Sequence, residues 1–206
     1  MLEDDPIVFI VDDDDSVRKA LTRLIKSVDL NAEAFASAHD FLKRESHNGP
    51  ACLILDMRMP GLSGLDLQDE LVAAGRTLPI IFISAHGSIP ISVRAMKAGA
   101  VDFIEKPFED QTLLDAINQS LKKDRLAKLE QAELREIQQR VDSLTPRERE
   151  VFAHVVSGEL NKQIAFKLGT TERTIKAHRA RVMKKMQAKS LADLIRLAER
   201  VSPCPA

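Results

Sequence analysis

The sequence predicts an open α/β domain of five parallel strands, followed by a second, all-helical domain. Three observations carry this. Short apolar, β-rich runs alternate five times with segments whose apolar residues recur every three or four positions. A stretch without Pro or Gly then runs from Gln111 to Val141. The remaining residues read as helices broken only near Ser157-Gly158, Gly169-Thr170-Thr171 and Lys189-Ser190.

The strands are expected in IVFIV (7–11), AEAF (32–35), ACLIL (51–55), PIIFI (79–83) and VDFI (101–104). Several are apolar throughout, as strands covered on both faces should be. The helices between them are SVRKALTRLIKSV, SAHDFLKRE, SGLDLQDELVAAG and IPISVRAMKAG. Gly75 and Gly99 stand where helix C-caps belong. Right-handed crossovers make this a doubly wound sheet, whose functional site forms beyond the carboxyl ends of its strands. A fifth helix starts near Gln111 and runs on into a charged connector. There Leu134, Ile137, Val141 and Leu144 make a stripe that is either a coiled-coil seam or a packing face. In LTPRERE (144–150), Thr145 as N-cap, Pro146 at N1 and Glu148 three residues on spell a capping box. The expected divisions are 1–123, 124–141 and 142–206.

Composition is that of an ordinary globular protein, 44% hydrophobic and 30% charged. The acidic start, MLEDDP, resembles neither a secretory signal nor a transit peptide, and no apolar run is long enough to span a membrane. A cytoplasmic protein without membrane contact is expected. Cys52 sits in an apolar run and Cys204 in the tail, which favours two free thiols over a disulfide. The net charge of −1 hides an imbalance. Residues 1–124 hold 13 Lys and Arg against 21 Asp and Glu, a net of −8, and residues 125–206 hold 17 against 10, a net of +7. Nucleic acid is the natural partner of the basic part.

Strand one ends in four aspartates, 12 to 15, and strand three ends in Asp56. Helix capping by Asp14 or Asp15 accounts for one of the four. With strands one and three as neighbours, Asp12, Asp13 and Asp56 are expected to form one carboxylate cluster. Such a cluster calls for a cation, and hard oxygens with room for water suit Mg²⁺. Strand four ends in Ser84, and strand five is followed by Lys106-Pro107, a candidate cis peptide. A carboxylate nucleophile, a divalent ion, a hydroxyl and an ammonium at one edge are the equipment for phosphoryl transfer to a carboxylate.

With DD after strand one, LILDMRMPGLSG at strand three, SAHG after strand four and Lys-Pro after strand five, residues 5 to 123 resemble the receiver domain of a two-component response regulator. The resemblance implies an α/β flavodoxin-like (βα)5 receiver. It implies that Asp56 accepts phosphate from a sensor histidine kinase. It makes Asp12, Asp13, Asp56 and the backbone carbonyl of Arg58 the ligands of Mg²⁺. It puts Ser84 and Lys106 against the phosphoryl group and gives Phe103 the place of the aromatic that moves with the hydroxyl. Ser84 departs from the commoner threonine but keeps the same donor. Phe103 has no hydroxyl, so its alternative positions differ by packing alone; a plain core aromatic is the alternative reading.

LNKQIAFKLGTTERTIKAHRARVMKKM (160–186) has helix-turn-helix form. Its second helix, 172–186, turns Ile175, Val182 and Met186 inward. Arg173, Lys176, Ala177 and Ala180 share the outer side, with Arg179, Arg181 and Lys184 as further DNA-contacting cations. Flanked by LTPRERE and SLADLIRLAE, this part resembles the LuxR-type, or NarL-type, four-helix DNA-binding module. Receiver, helical linker and helix-turn-helix domain together resemble the FixJ subfamily of response regulators. That subfamily implies activation of nitrogen-fixation genes, a FixL-like oxygen-sensing haem kinase, promoter DNA and RNA polymerase as partners, and a homodimer in the phosphorylated state. The dimer is expected through helix four and strand five, with Ile91, Arg94, Ala95 and Lys97 at the contact.

Rival readings are less well supplied. An aspartate-nucleophile phosphatase of the haloacid-dehalogenase kind needs Asp-x-Asp, and Asp56-Met57-Arg58 lacks the second acid. A nucleotide-binding domain needs a Gly-rich loop where the aspartates stand. A sigma-factor-like protein shares LTPRERE but has no receiver. The chain is therefore expected to be no enzyme beyond promoting its own phosphorylation and dephosphorylation.

Overall fold

The computed structural model describes residues 5–85 and 89–201. These divide into two units, with the boundary between Lys128 and Leu129. His86 and Gly87 of the SAHG motif, and Cys204, lie outside the described residues.

The first unit is a five-stranded parallel sheet in the order β2-β1-β3-β4-β5. Its strands are β1 (Ile7–Val11), β2 (Asn31–Phe35), β3 (Ala51–Asp56), β4 (Ile80–Ser84) and β5 (Asp102–Glu105). Between them lie α1 (Asp15–Lys26), α2 (Ala38–Leu42), α3 (Gly64–Ala73) and α4 (Ile89–Lys97), and α5 (Asp110–Asp142) follows. The central strands are buried on both sides because alternate residues feed two cores. Phe9, Leu53, Leu55 and Phe82 pack on one face with Leu67 and Leu71 of α3. Ile10, Ile54 and Ile83 pack on the other with Ile25 of α1 and Ile117 of α5. β2 is only partly covered, which fits its weak apolar pattern. Gly75 and Gly99 have φ of +65° and +97°, so the helix ends expected there are made by residues that tolerate left-handed backbone. Cys52 is a buried free thiol, and burial, aided by the Asp124 charge, pushes its pKa up.

The 33-residue α5 runs through the expected helical linker of 124–141. Asp124 is 3% exposed, accepts from the Ala51 N–H at 2.8 Å and pairs with Lys128 at 2.8 Å. The helix up to Lys128 thus belongs to the first unit. Farther along, Ile137 and Leu144 are buried with the second unit and Val141 packs against them, so the apolar stripe is a packing face.

The second unit continues with α6 (Pro146–Val156), α7 (Asn161–Lys167), α8 (Glu172–Met186) and α9 (Leu191–Val201). Its core joins Val151 and Val155 of α6, Ile164 of α7, Ile175 and Val182 of α8 and Leu194 of α9. The capping box is formed: Thr145 Oγ1 accepts from Glu148 N–H, and Glu148 Oε2 accepts from Thr145 N–H at 3.0 Å. Glu148 also binds Lys185 Nζ of α8 at 2.6 Å. Among the described residues no helix is long and apolar enough to cross a membrane.

Two outcomes test this packing. The Lys185 contact, with the Thr145 N–H, lowers the Glu148 pKa from 4.5 to about 2. A depressed carboxylate stabilises the fold above its unfolded value and loses that contribution as pH falls through the folded one. The urea midpoint of the second unit should therefore fall between pH 4.5 and about 2, and Glu148→Gln should flatten that dependence. Far-UV circular dichroism is the readout, since the chain has no Trp or Tyr. In the first unit, a Cβ on Gly64 would lie 2.4 Å from the Asp56 backbone oxygen and 3.2 Å from Met57 Cα. Backbone cannot yield as a side-chain tip can, so Gly64→Ala should cost about 1–3 kcal/mol in urea unfolding.

Candidate functional site

The carboxyl ends of the strands collect the titratable groups. Asp12 follows β1, Asp56 ends β3, Ser84 ends β4 and Lys106 follows β5. Parallel pairing of β1 with β3 aligns Val11 with Leu55, which sets Asp12 and Asp56 side by side. Asp12 is 1% exposed and Asp56 7%, and Ser84 is also buried. Lys106 Nζ bridges the two carboxylates, at 3.0 Å from Asp12 Oδ2 and 3.0 Å from Asp56 Oδ1. The Lys106-Pro107 peptide is cis.

Backbone amides orient both acids. Asp12 Oδ1 accepts from Asp14 N–H at 2.8 Å, and Asp56 Oδ2 from Arg58 N–H at 2.7 Å. Asp14, not Asp15, caps α1 through the Ser16 and Val17 amides. Gly64 N–H donates to the Met57 carbonyl at 3.2 Å, closing the loop after Asp56. Burial raises the Asp56 pKa above the ordinary carboxylate range; Lys106 and the Arg58 amide oppose this, and the Asp12 charge adds to it. For Lys106 burial acts downward, but the bonds and charges of Asp12 and Asp56 outweigh it and the pKa rises.

The expected three-carboxylate cluster is not assembled. Asp13 is exposed, and among the described residues no three His, Cys, Asp or Glu side chains stand close enough to hold a metal ion. The Lys106 ammonium pairs with both Asp12 and Asp56. These two carboxylates nevertheless converge on one cation position, and their donors are hard oxygens. Mg²⁺ uses one or two carboxylates and completes its shell with water, so this donor set fits it.

Phe103 is partly buried on the core, its ring 6.4 Å from that of Phe82. The expected dimer contact needs one correction. Ala95 has no exposed surface, and its carbonyl accepts from Gln68 Nε2 at 3.2 Å, so it faces the core of the first unit. Arg94 and Lys97 are exposed, with Arg94 paired to Asp69 at 3.1 Å, and Ile91 is half-buried. Sequence periodicity missed the exposed apolar residues of α4, which are Ile89, Val93 and Met96.

In the second unit, Thr171 caps α8 through the Thr174 amide, and Gly169 takes φ +61° in the turn from α7. Ile175, Val182 and Met186 are fully buried, which leaves Arg173, Lys176, Ala177, Ala180, Arg181 and Lys184 on the exposed side. Arg179 stands apart from that stripe. It is half-buried, and its Nη1 donates to Asn161 Oδ1 at 3.2 Å, bracing α8 on α7.

Two further residues make close approaches that spacing does not reveal. Gly64, the last residue of LILDMRMPGLSG, sits where a Cβ would meet the Asp56 carbonyl. Arg18 Nη1 donates to the Asp12 backbone oxygen at 2.8 Å and Nη2 to Asp15 Oδ1 at 3.1 Å. Its only sequence signal is a cation one turn beyond a run of acids.

Residues 8–118 match the response regulator receiver domain family, and residues 142–198 match the luxR family of bacterial regulatory proteins. The stretch SAHGSIPISVRAMKAGAVDFIEKPF also draws the whole chain toward FixJ itself. Transcriptional regulatory protein FixJ of Azorhizobium caulinodans is 40% identical over 199 residues, 97% of this chain and 94% of that protein. Nodulation protein W of Bradyrhizobium diazoefficiens is 50% identical over 193 residues, 94% of this chain and 85% of that protein. The solved response regulator StyR has a TM-score of 0.88 at 46% identity and covers 96% of this chain and 100% of its own. FixJ and its like are transcriptional regulators rather than enzymes, pair with sensor kinases and bind promoter DNA. Receiver domains generally bind Mg²⁺ at their acidic phosphorylation site. The sheet edge, the helix-turn-helix and these matches over nearly the whole length agree: the chain belongs to the FixJ-like two-component response regulators, transcription factors that join a receiver domain to a LuxR-type DNA-binding domain.

Proposed function

We propose that Asp56 is the phosphoryl acceptor and that its phosphorylation turns on DNA binding. The observation that carries this is the convergence of buried Asp12 and Asp56 on the Lys106 ammonium at 3.0 Å each, at the sheet edge where Ser84 also ends its strand. An Asp56 oxygen attacks the phosphorus of a phosphohistidine on the sensor kinase in line. The new O–P bond forms as the N–P bond breaks, and the histidine leaves with the bond's electron pair. Asp12 and Asp56 would hold a Mg²⁺ ion, with Asp13 and the Arg58 carbonyl as further oxygens. When bound, the ion offsets charge on the phosphoryl oxygens. Lys106 moves from its carboxylate bridge to the phosphoryl group, and Ser84 donates to it. The chain transfers no group beyond this one.

The phosphoryl group adds about −1.5 to −2 charges. It shifts populations only by contacting two states differently. Ser84 and Phe103 link it to α4 and β5, and the exposed α4 face of Val93, Met96 and Lys97, with Ile91 and Arg94, supports dimerisation there. A dimer reads two half-sites about one helical turn apart. α8 enters the major groove with Arg173, Lys176, Ala177, Ala180, Arg181 and Lys184; Arg179 acts as a brace at the same surface. RNA polymerase is then recruited in the cytoplasm to the regulated promoters.

The likeness to FixJ supports nitrogen-fixation genes as targets and a FixL-like kinase as donor. The higher identity to Nodulation protein W favours a second reading, the same switch acting on another pathway. Transcript profiles with and without the Asp56→Asn variant separate the two.

Acetyl phosphate with Mg²⁺ should add one phosphoryl group to the wild type and none to Asp56→Asn, read by intact mass. Gel filtration should show the labelled protein at twice the monomer mass; an unchanged mass overturns the dimer. Lys176→Ala should weaken DNA binding and reduce the slope of log affinity against log salt by about one. Unchanged affinity at low salt refutes its phosphate contact.

A further inference from the structure

Arg18 stands at the rim of the acidic edge, yet phosphoryl transfer as described makes no use of it. Its side chain is 16% exposed and reaches back from α1 to the turn that leaves β1. Through Arg18, every oxygen of Asp12 is engaged. Oδ1 takes the Asp14 amide, Oδ2 takes Lys106, and the backbone oxygen takes Arg18 Nη1 at 2.8 Å. Asp14 in turn holds the first amides of α1, the helix that carries Arg18. The turn is a closed ring of hydrogen bonds with the guanidinium as its tie.

The turn has reason to need one. Four consecutive carboxylates repel one another, and the repulsion is strongest where Asp12 is buried. A planar guanidinium spans two acceptors on different residues, here a carbonyl and the Asp15 carboxylate; an ammonium is a point charge with no such fork.

We propose that Arg18 is a positioning residue for the acidic edge: its grip on the Asp12 carbonyl holds the β1–α1 turn in the shape that presents Asp12 and Asp13 to a divalent cation. This rests on reading the edge as a Mg²⁺-assisted phosphoryl acceptor. Charge and position predict opposite signs. As a mere nearby cation, Arg18 repels Mg²⁺, and its removal tightens binding. As a tie, its removal lets the turn splay, and binding weakens.

The experiment is calorimetric Mg²⁺ titration of the full-length protein without phosphodonor, for wild type, Arg18→Gln, Arg18→Lys and Asp15→Asn. Outer residues that orient metal ligands are commonly worth about tenfold or more in affinity. On that scale, Arg18→Gln should raise the Mg²⁺ Kd about tenfold and speed amide exchange at Asp14. Arg18→Lys should raise the Kd about two- to threefold, and Asp15→Asn, which keeps the Asp12 contact, should leave it within about twofold. The maximal acetyl phosphate labelling rate at saturating Mg²⁺ should hold in Arg18→Gln, so that the ion requirement changes and the chemistry does not. An unchanged or tighter Kd in Arg18→Gln overturns the proposal. If that variant loses cooperative melting, Arg18→Lys decides, and a wild-type Kd there overturns it as well. Wild type that binds Mg²⁺ but is not labelled at Asp56 defeats the phosphoryl-acceptor reading alone. Wild type that is labelled, with Kd unmoved in Arg18→Gln, defeats the role of Arg18 alone. Wild type that binds no Mg²⁺ defeats both.

Discussion

The Lys106 ammonium between Asp12 and Asp56 is the contact on which the receiver depends. Two carboxylates at the ends of adjacent strands, both nearly buried, repel one another and have lost most of their water. A single cation placed 3.0 Å from each removes the conflict. β5 is separated from β3 by β4, so Lys106 reaches its partners across the end of the strand that carries Ser84. Any group that competes for these carboxylates, or that the ammonium prefers to them, is felt at once by three strands. Breaking such a buried pair by removing one member leaves an uncompensated charge, which costs more than the pair contributes. The carboxylates are held on the backbone side by the Asp14 and Arg58 amides.

The second unit applies the same economy of charge to a different end. Glu148 serves the capping box of α6 and receives Lys185 from the last turn of α8. One buried carboxylate thus fixes both the start of α6 and the end of α8. Arg147 adds a bond to the Leu168 carbonyl at the end of α7, and Arg179 ties α8 to Asn161. Several of the cations in this basic part are thus structural. Arg173, Lys176, Arg181 and Lys184 by contrast lie on the exposed side of α8, beside Ala177 and Ala180.

Much of this was legible in the residues themselves. The five strands follow from apolar runs, and the capping box at Thr145 was readable from spacing alone. Asp12, Asp56, Ser84 and Lys106 were legible because each directly ends or follows a strand, and strand ends in a parallel sheet share one edge. What failed was side-chain direction. Ala95 shares a helix with exposed neighbours, but only the packing of α4 on α3 shows it turned inward. Arg179 belongs to a cationic helix, but its guanidinium goes to a neighbouring helix rather than outward. Asp124 read as a charged linker residue until β3 supplied an unpaired amide at Ala51 for it to accept from.

The sequence by itself determined the two-part architecture, the edge on which Asp12, Asp56, Ser84 and Lys106 gather, and the helix-turn-helix. These depend on periodicity and on strand and helix ends, which are local properties. Only the tertiary structure decided which charges are spent on one another. Lys106 bridges Asp12 and Asp56, Arg18 donates to the Asp12 carbonyl, and the first unit keeps α5 as far as Lys128. Such pairings join residues as much as 94 positions apart. They are set by distances of about 3 Å, which only the assembled chain brings into being.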